Sequence, residues 1–251
     1  MDLKDKVVIV TGGGNGVGAA TAHRYVECGA RVILADWDEK SADKVAESLG
    51  HDRAEAVHID VSNAEAVKAM MDDIAKRYGR IDVLVNNAGV HVPGSVIDCT
   101  VEDWRKIAGV DIDGVVFCSK FVMPYLLKSK GCIVNTASVS GLGGDWGAAF
   151  YCAAKGAVVN LTRAMALDHG GEGVRINAVC PSLIKTNMTN GWPQAVRDKF
   201  NERIALGRAA EPEEIANVIV FLSSPLASFI NGANIATDGG ATASNGQPKI
   251  V

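Results

Sequence analysis

The sequence predicts a doubly wound α/β fold, a parallel sheet with helices on both faces, and three observations support it. Short β-branched runs alternate with longer helical patterns along the chain. The runs are apolar at almost every position, which is typical of strands buried on both faces of a parallel sheet. Most of them end in glycine or polar residues, and ligands bind along that edge in this fold class. We therefore expect a single domain over residues 1–251, with a ligand cleft along the carboxyl edge of the sheet.

Composition argues against several classes of function. Of the 251 residues, 48% are hydrophobic and 22% are charged, which is typical of a globular protein. The formal net charge of −4 offers no basic surface for nucleic acid or an anionic membrane. No charged leader precedes an apolar run, and no run approaches the ~20 residues of a membrane span, so we expect a soluble cytoplasmic protein. The six cysteines lack metal-ligand spacing, so we expect buried thiols and no metal site.

A glycine-rich loop follows the first predicted strand. Residues 6–11 form a β-branched run, residues 12–18 read Gly-Gly-Gly-Asn-Gly-Val-Gly, and a helical pattern continues through Cys28. This is the context of a phosphate-binding loop, because glycines admit a pyrophosphate close to the backbone and the helix N-terminus offers unpaired N–H groups. The candidate cofactor contacts here are Gly12, Asn15, Gly16, Val17 and Gly18.

The second predicted strand, residues 30–35, ends on Asp36. An acidic side chain there can accept hydrogen bonds from both hydroxyls of the adenosine ribose, whereas a 2′-phosphate would meet a like charge. Asn15 in the loop and Trp37 after the aspartate supply no basic partner for such a phosphate. The pattern therefore favours NAD over NADP. The alternative is that Asp36 only caps the helix that begins near Glu39.

The next two strands end in further candidate cofactor contacts. The run 54–59 is followed by Asp60 and Val61, which could flank an adenine ring, and the run 81–85 is followed by the turn 86–89. The remaining elements continue the alternation. We expect a helix over 63–78 closed by Gly79, a long helix over 100–127 interrupted only by Pro124, strands at 131–136, 174–180 and 233–240, a helix from 211 to about 222, and a substrate lid at about 187–207.

The strongest candidates for chemistry are Ser138, Tyr151 and Lys155. The predicted helix that begins near Tyr151 places its phenol and the ammonium of Lys155 on one face, one turn apart. A free tyrosine titrates near ~10, and an adjacent positive charge favours the phenolate that a general base needs. Ser138 would donate a hydrogen bond to the same substrate oxygen. Alternatively, tyrosine and lysine at this spacing occur on amphipathic helices without any function.

Together these residues resemble the short-chain dehydrogenase/reductase family, in its compact branch of about 250 residues. The resemblance covers nearly the whole chain and rests on five sets of residues: Thr11-Gly12-x-x-x-Gly16-x-Gly18; Asn86-Asn-Ala-Gly89; Ser138 with Tyr151-x-x-x-Lys155; Pro181 with Ile184 and Thr186; and Asp238-Gly-Gly240. It implies a doubly wound (Rossmann) sheet of seven parallel strands. The implied activity is NAD(P)-dependent oxidation of alcohols or reduction of carbonyls.

The resemblance also implies roles for individual residues. Tyr151 would be the acid/base, Lys155 would assist it and hold the nicotinamide ribose, and Ser138 would polarise the substrate carbonyl. The remaining cofactor contacts would be Asn87, Ala88, Gly89, Pro181, Ile184 and Thr186. Family members usually form homotetramers or homodimers, through helices that correspond to residues 101–127 and 150–169 and through the C-terminal strand.

Two positions depart from the family pattern. Asp111 stands where the family has a catalytic asparagine, whose side chain helps to hold a water between the lysine and solvent. We keep Asp111 as a candidate catalytic residue, although its negative charge would stabilise the Lys155 ammonium and oppose the phenolate. Ser182 stands where the family usually has glycine.

Substrate contacts are expected from mostly apolar residues near the site: His91, Gly144, Trp146, Met188 and Trp192. No cluster of arginines is evident, so we expect an uncharged secondary alcohol or ketone. Two alternatives remain. One is a 3-oxoacyl carrier-protein reductase, against which Asp36 argues because those enzymes commonly prefer NADPH. The other is a dinucleotide-binding regulatory protein whose chemistry has lapsed, a reading that Asp111 motivates.

Overall fold

Seven parallel strands form the sheet in the computed structural model, which describes residues 1–247. Their order is β3-β2-β1-β4-β5-β6-β7. The strands are β1 (Val7–Thr11), β2 (Arg31–Asp36), β3 (Ala54–His58), β4 (Val83–Asn86), β5 (Cys132–Thr136), β6 (Arg175–Pro181) and β7 (Asn234–Thr237). The predicted seven-stranded doubly wound fold is therefore confirmed.

Helices connect the strands and cover both faces of the sheet. The α-helices are α1 (Gly16–Glu27), α2 (Glu39–Leu49), α3 (Ala64–Tyr78), α4 (Val101–Ala108), α5 (Gly114–Ser129), α6 (Val139–Leu142), α7 (Ala149–Gly170), α8 (Asn187–Asn190), α9 (Gln194–Arg203) and α10 (Pro212–Ser223). Short 3₁₀ turns lie at Pro225–Ala227 and Ala241–Ala243. No helix within residues 1–247 is long and apolar enough to span a membrane.

Alternation along each strand creates two apolar cores. In β1, Val8 and Val10 belong to one core, whereas Val7 and Ile9 belong to the other. All four side chains are buried, because successive side chains point to opposite faces and both faces are covered by helices. At about 25 cal/mol per Å² of buried apolar surface, these cores provide the main stabilisation of the fold.

The binding edge is set by the direction in which the chain leaves β1. From β1 the chain moves outward through β2 and β3, then returns to place β4 on the other side of β1. Connections on the two sides of this point diverge, which opens a crevice at the carboxyl ends of β1 and β4. The loops after both strands border this crevice.

The prediction of a helix over residues 100–127, interrupted only by Pro124, was wrong about where the interruption lies. Pro124 lies inside α5 and does not end it. The interruption comes earlier, at a π-helical turn over Gly109–Asp113, where the Gly114 N–H donates to the Gly109 carbonyl. Such wide turns are rare and often lie at functional sites. The helix over 63–78 is closed by Gly79 in a left-handed conformation, as predicted.

Candidate active site

A cleft of about 1910 Å³ runs along the carboxyl edge of the sheet and brings together nearly all of the predicted site residues. The predicted cofactor contacts that line it are Gly12, Asn15, Gly16, Val17, Asp36, Asp60, Val61, Asn87, Ala88, Gly89, Tyr151, Lys155, Pro181, Ile184 and Thr186. Ser138, Asp111, His91, Gly144, Trp146, Met188 and Trp192 line it as well. Gly18 does not.

The glycine loop is shaped by close approach of backbone to backbone. Gly12 has a φ of +65°, and a Cβ there would lie 2.9 Å from the Ala88 Cα. A Cβ on Gly18 would lie 1.9 Å from the Gly12 carbonyl oxygen, so only glycine lets α1 start this close to β1. Gly18 therefore shapes the loop from behind, and its role as a cofactor contact stays a prediction.

Thr11 and Asn87 tie the two turns of the crevice together. The Thr11 hydroxyl oxygen accepts the backbone N–H groups of Asn87 at 2.9 Å and Ala88 at 3.1 Å. In return, the Asn87 side-chain amide donates to the carbonyls of Thr11 and Gly12, both at 3.1 Å. The turn after β4 and the glycine loop are thereby held in one geometry. Sequence reasoning quoted Thr11 only as part of a motif.

The Asp36 carboxylate is buried and already oriented. Its Oδ2 accepts the Gly14 N–H at 2.8 Å, and its Oδ1 accepts the Asp38 N–H at 2.9 Å. Each oxygen keeps lone-pair capacity for another donor. The side chain that caps α2 belongs to Asp38, which accepts the Ser41 N–H. The alternative that Asp36 is only a helix cap is therefore wrong.

Asp60 and Val61 line the cleft beyond Asp36. The Asp60 Oδ1 accepts from the backbone N–H and the hydroxyl of Ser62, at 2.9 and 2.7 Å. Val61 is buried, and a Cβ on Gly114 would lie 2.7 Å from its Cγ2, so α5 holds it in place. Trp37, which sequence reasoning treated only as a non-basic neighbour, also lines this region with 78% of its side chain exposed.

Ser138 follows β5 and caps the short helix α6. Its Oγ accepts the Ser140 N–H at 3.1 Å, and the residue is only 8% exposed. Because the Oγ accepts this bond, the hydroxyl hydrogen remains free to donate into the cleft.

Tyr151 and Lys155 lie in the first two turns of α7, as predicted. The Lys155 Nζ lies 5.6 Å from the centroid of the Tyr151 ring. The same Nζ donates to the Thr136 carbonyl at 3.1 Å, which fixes the ammonium against the end of β5. His91 packs edge-on against the phenol, with ring centroids 5.0 Å apart.

Asp111 contacts Lys155 directly. Its Oδ2 lies 3.0 Å from the Lys155 Nζ, and the two side chains are 0% and 5% exposed. Its Oδ1 accepts the Val90 N–H at 2.7 Å. Burial lowers the pKa of Lys155, but interactions with neighbouring groups, led by the charge of the Asp111 carboxylate, outweigh this and raise that pKa above its ordinary value. A carboxylate thus pairs with the ammonium where the resemblance implies an amide that holds a water.

The substrate end of the cleft combines apolar and polar walls. Trp192 packs against Phe200, with ring centroids 5.2 Å apart, and Trp146 is 92% exposed at the rim. Ser140 and Asp145 also line the cleft, and the Ser140 hydroxyl donates to the Asp145 Oδ2 at 3.3 Å. Sequence reasoning missed this polar pair, because neither residue belongs to a recognisable motif.

The loop after β6 completes the cleft. Ser182, the second departure from the family pattern, donates from its Oγ to the Asp238 carbonyl at 2.9 Å. Its side chain therefore braces the loop against the chain after β7. Thr186 lies beside the glycine loop, since a Cβ on Gly16 would lie 3.2 Å from the Thr186 Cγ2.

Comparison with known proteins identifies the family. A family model described as enoyl-(acyl carrier protein) reductase matches residues 12–242. Meso-2,3-butanediol dehydrogenase of Serratia marcescens is 73% identical over 251 residues and covers 100% of both chains. The chain belongs to the short-chain dehydrogenase/reductase family.

Two further relatives bear on the alternatives. A 3-oxoacyl-[acyl-carrier-protein] reductase of Thermotoga maritima is 37% identical over 244 residues, 96% of this chain and 99% of its own. The crystal structure of a 3-ketoacyl-(acyl-carrier-protein) reductase from Brucella melitensis, complexed with NADH, superposes with a TM-score of 0.91 at 33% identity, covering 96% of this chain and 100% of that one. Identity is far higher to the alcohol dehydrogenase than to either reductase.

This short-chain enzyme is therefore an oxidoreductase that uses a nicotinamide cofactor. It transfers a hydride between that cofactor and a secondary alcohol or the corresponding ketone. The readings as a carrier-protein reductase or as a lapsed regulatory protein are less well supported.

Proposed function

We propose that this enzyme interconverts a small vicinal diol and the corresponding α-hydroxyketone, with NAD as its cofactor. The proposed substrate class rests on the 73% identity to a meso-2,3-butanediol dehydrogenase over the full length. The choice of NAD over NADP rests on Asp36.

The cleft fits a dinucleotide. The close approach of Gly12 to Ala88 leaves backbone rather than side chains along the loop, so a pyrophosphate can reach the N-terminus of α1. The two oxygens of Asp36 would accept both hydroxyls of the adenosine ribose. The basic residues that line the described cleft come from α4, α7 and α9, and none comes from the loop 12–18 or from residues 36–38: they are Arg105, Lys106, Lys155, Lys199 and Arg203.

The bound nicotinamide would supply or accept the hydride. The chain's own residues would handle the oxygen and its proton. Tyr151 would take the hydroxyl proton during oxidation and return it during reduction. Ser138 would donate its free hydroxyl hydrogen to the same oxygen. Lys155, whose ammonium donates to the Thr136 carbonyl and forms an ion pair with Asp111, would face the phenol and the ribose.

A diol needs a partner for its second oxygen. Ser140 and Asp145 provide a hydroxyl and a carboxylate on the segment between Ser138 and Tyr151, and His91 faces the same phenol from the opposite loop. Burial lowers the pKa of His91, so its ring is neutral at neutral pH and can both donate and accept. The apolar Trp192 and Met188 would cover the carbon chain.

Other features of the chain support further parts of the proposal. Met188 on α8, Trp192 between the two helices and Phe200 on α9 border the cleft, and this segment of residues 187–207 would form a lid over the substrate. Apolar side chains on α7 and after α10 are exposed, with Leu167 84% and Phe229 102% exposed, which favours a homotetramer or homodimer. All six cysteines are free, which is typical of proteins in the reducing cytoplasm; Cys118, Cys132 and Cys180 are buried as expected, whereas Cys28, Cys99 and Cys152 are partly exposed.

Substrate and cofactor preference test this proposal together. NADH or NADPH formation is followed with meso-2,3-butanediol, with 2-butanol as the matched substrate that lacks the second hydroxyl, and with a 3-hydroxyacyl thioester. We expect NAD with the diol to give the highest kcat/KM, about fivefold or more above 2-butanol, because one hydrogen bond contributes about 1 kcal/mol. Preference for NADP would contradict the reading of Asp36, and preference for the thioester would contradict the substrate class.

A further inference from the structure

Asp111 and Lys155 form a buried pair of opposite charges beside the reacting phenol. The side chain of Asp111 is 0% exposed and that of Lys155 is 5% exposed. Isolated charges are expensive to bury, so each of these groups depends on the other to remain charged. The Asp111 Oδ2 has the ammonium as its only polar contact among the described residues, while its Oδ1 accepts the Val90 N–H.

The local backbone is shaped to hold this pair. Asp111 lies at the centre of the π-helical turn Gly109–Asp113, which widens the helix where it meets α7. Gly89 leaves the space, since a Cβ there would lie 3.0 Å from the Asp111 Oδ2 and 3.3 Å from the Lys155 Nζ. The carboxylate thus connects the π turn, the loop after β4 and the catalytic helix.

Other titratable groups around the phenol do not replace this charge. His91, from the loop after β4, is neutral at neutral pH because burial lowers its pKa. Cys180, from β6, is neutral because burial raises the pKa of its thiol to about 11. Asp145, from the segment before α7, is exposed and screened by solvent. Asp111 and Lys155 are thus the buried charges next to Tyr151.

We propose that Asp111 is a positioning residue. Its carboxylate offsets the positive charge of Lys155 and thereby keeps Tyr151 protonated at neutral pH, which is the form that carbonyl reduction requires. The inference rests on the proposed role of Tyr151 as acid/base. An ammonium alone would favour the phenolate, but a carboxylate 3.0 Å from the same nitrogen cancels most of that effect. Oxidation, which needs the phenolate, then gains rate only toward alkaline pH.

Asp111→Asn tests this idea with almost no change of shape. We expect the acid limb of the pH profile for diol oxidation to move down by about one pH unit, the lower end of the range for one nearby charge. In Asp111→Glu, which keeps the charge, the acid limb should lie closer to that of the wild type. Asp113→Asn is the matched control, because Asp113 lies in the same π turn and is exposed. It should leave the profile unchanged.

A second readout does not depend on turnover. Ultraviolet absorbance titration of the tyrosines, with Tyr151→Phe subtracted, reports ionisation of the Tyr151 phenol directly. In Asp111→Asn this phenol should ionise at lower pH than in the parent protein. If Asp111→Asn does not fold, Asp111→Ser removes the same charge with a smaller side chain and is measured in the same way.

The outcomes separate this inference from the proposed function. The role of Asp111 would be overturned if Asp111→Asn changed neither the acid limb of the pH profile nor the pH at which Tyr151 ionises. Equal shifts in Asp113→Asn would overturn it as well. An active Tyr151→Phe variant would instead remove the acid/base role on which the inference rests. A limb that moves upward would show that Asp111 assists the phenolate and would overturn the inference by its sign.

Discussion

Replacing Asp36 with alanine removes both acceptors that we assign to the adenosine ribose. A hydrogen bond to a charged group contributes about 1.5–3 kcal/mol, and water replaces part of this in the variant. We therefore expect a net loss of about 3 kcal/mol for two bonds, or on the order of 100-fold in kcat/KM for NAD. The kcat/KM for NADP should rise, because a 2′-phosphate no longer meets the carboxylate.

Asp38→Ala is the matched control for this experiment. Asp38 is the neighbouring exposed carboxylate, and its side chain caps α2. Its loss should lower stability by about 1 kcal/mol and leave the ratio of NAD to NADP rates unchanged. Circular dichroism and thermal melting confirm that both variants are folded. A loss below about threefold for NAD in Asp36→Ala, or an equal change in Asp38→Ala, would refute the assignment.

Three further predictions concern the structure that supports the site. Thr162→Val should lower the free energy of unfolding by about 1–3 kcal/mol in urea titration, because the Asn135 amide then loses its buried acceptor at 2.8 Å; a change below about 0.5 kcal/mol would contradict this. Gly18→Ala should abolish NADH binding in fluorescence titration, since its methyl group would lie 1.9 Å from the Gly12 carbonyl oxygen; normal affinity would contradict the loop geometry. His91 has a pKa below its unfolded value of about 6.5, so its contribution to stability is present above that pH and lost as pH falls through the folded value. In His91→Gln, the melting temperature should therefore fall less steeply than in the parent protein between about pH 6.5 and 5. Parallel curves of melting temperature against pH for the two proteins would contradict this.

Sequence patterns predicted the features that depend on local backbone chemistry. The glycine loop, the aspartate at the end of β2 and the spacing of Tyr151 and Lys155 each follow from one strand, turn or helix, so their placement could be read from the chain. The comparisons confirm the family and the fold. Roles of individual residues remain predictions.

The features that sequence reasoning missed depend on contacts between distant segments. The π turn at Gly109–Asp113 has no periodicity that distinguishes it from the flanking helices. The sequence predicted that the charge of Asp111 would stabilise the Lys155 ammonium, but not the wide turn that places the two groups in direct contact. Ser140 and Asp145 are close in sequence, but they meet across the irregular turn after α6, which no motif marks. Gly18 is the last glycine of the loop motif, but the packing of α1 against β1 places it behind the cleft.

The most direct test of the central claim is the turnover of Tyr151→Phe. NADH formation from meso-2,3-butanediol and NAD is compared with the parent protein, and NADH binding is titrated in both. Phenylalanine keeps the ring contact with His91 and removes only the proton-transferring oxygen. We predict a loss of kcat of at least about 100-fold, the lower range for general acid–base catalysis, with NADH affinity within about threefold of the parent. Substantial turnover by a folded, NADH-binding Tyr151→Phe variant would contradict the claim that this phenol carries the proton.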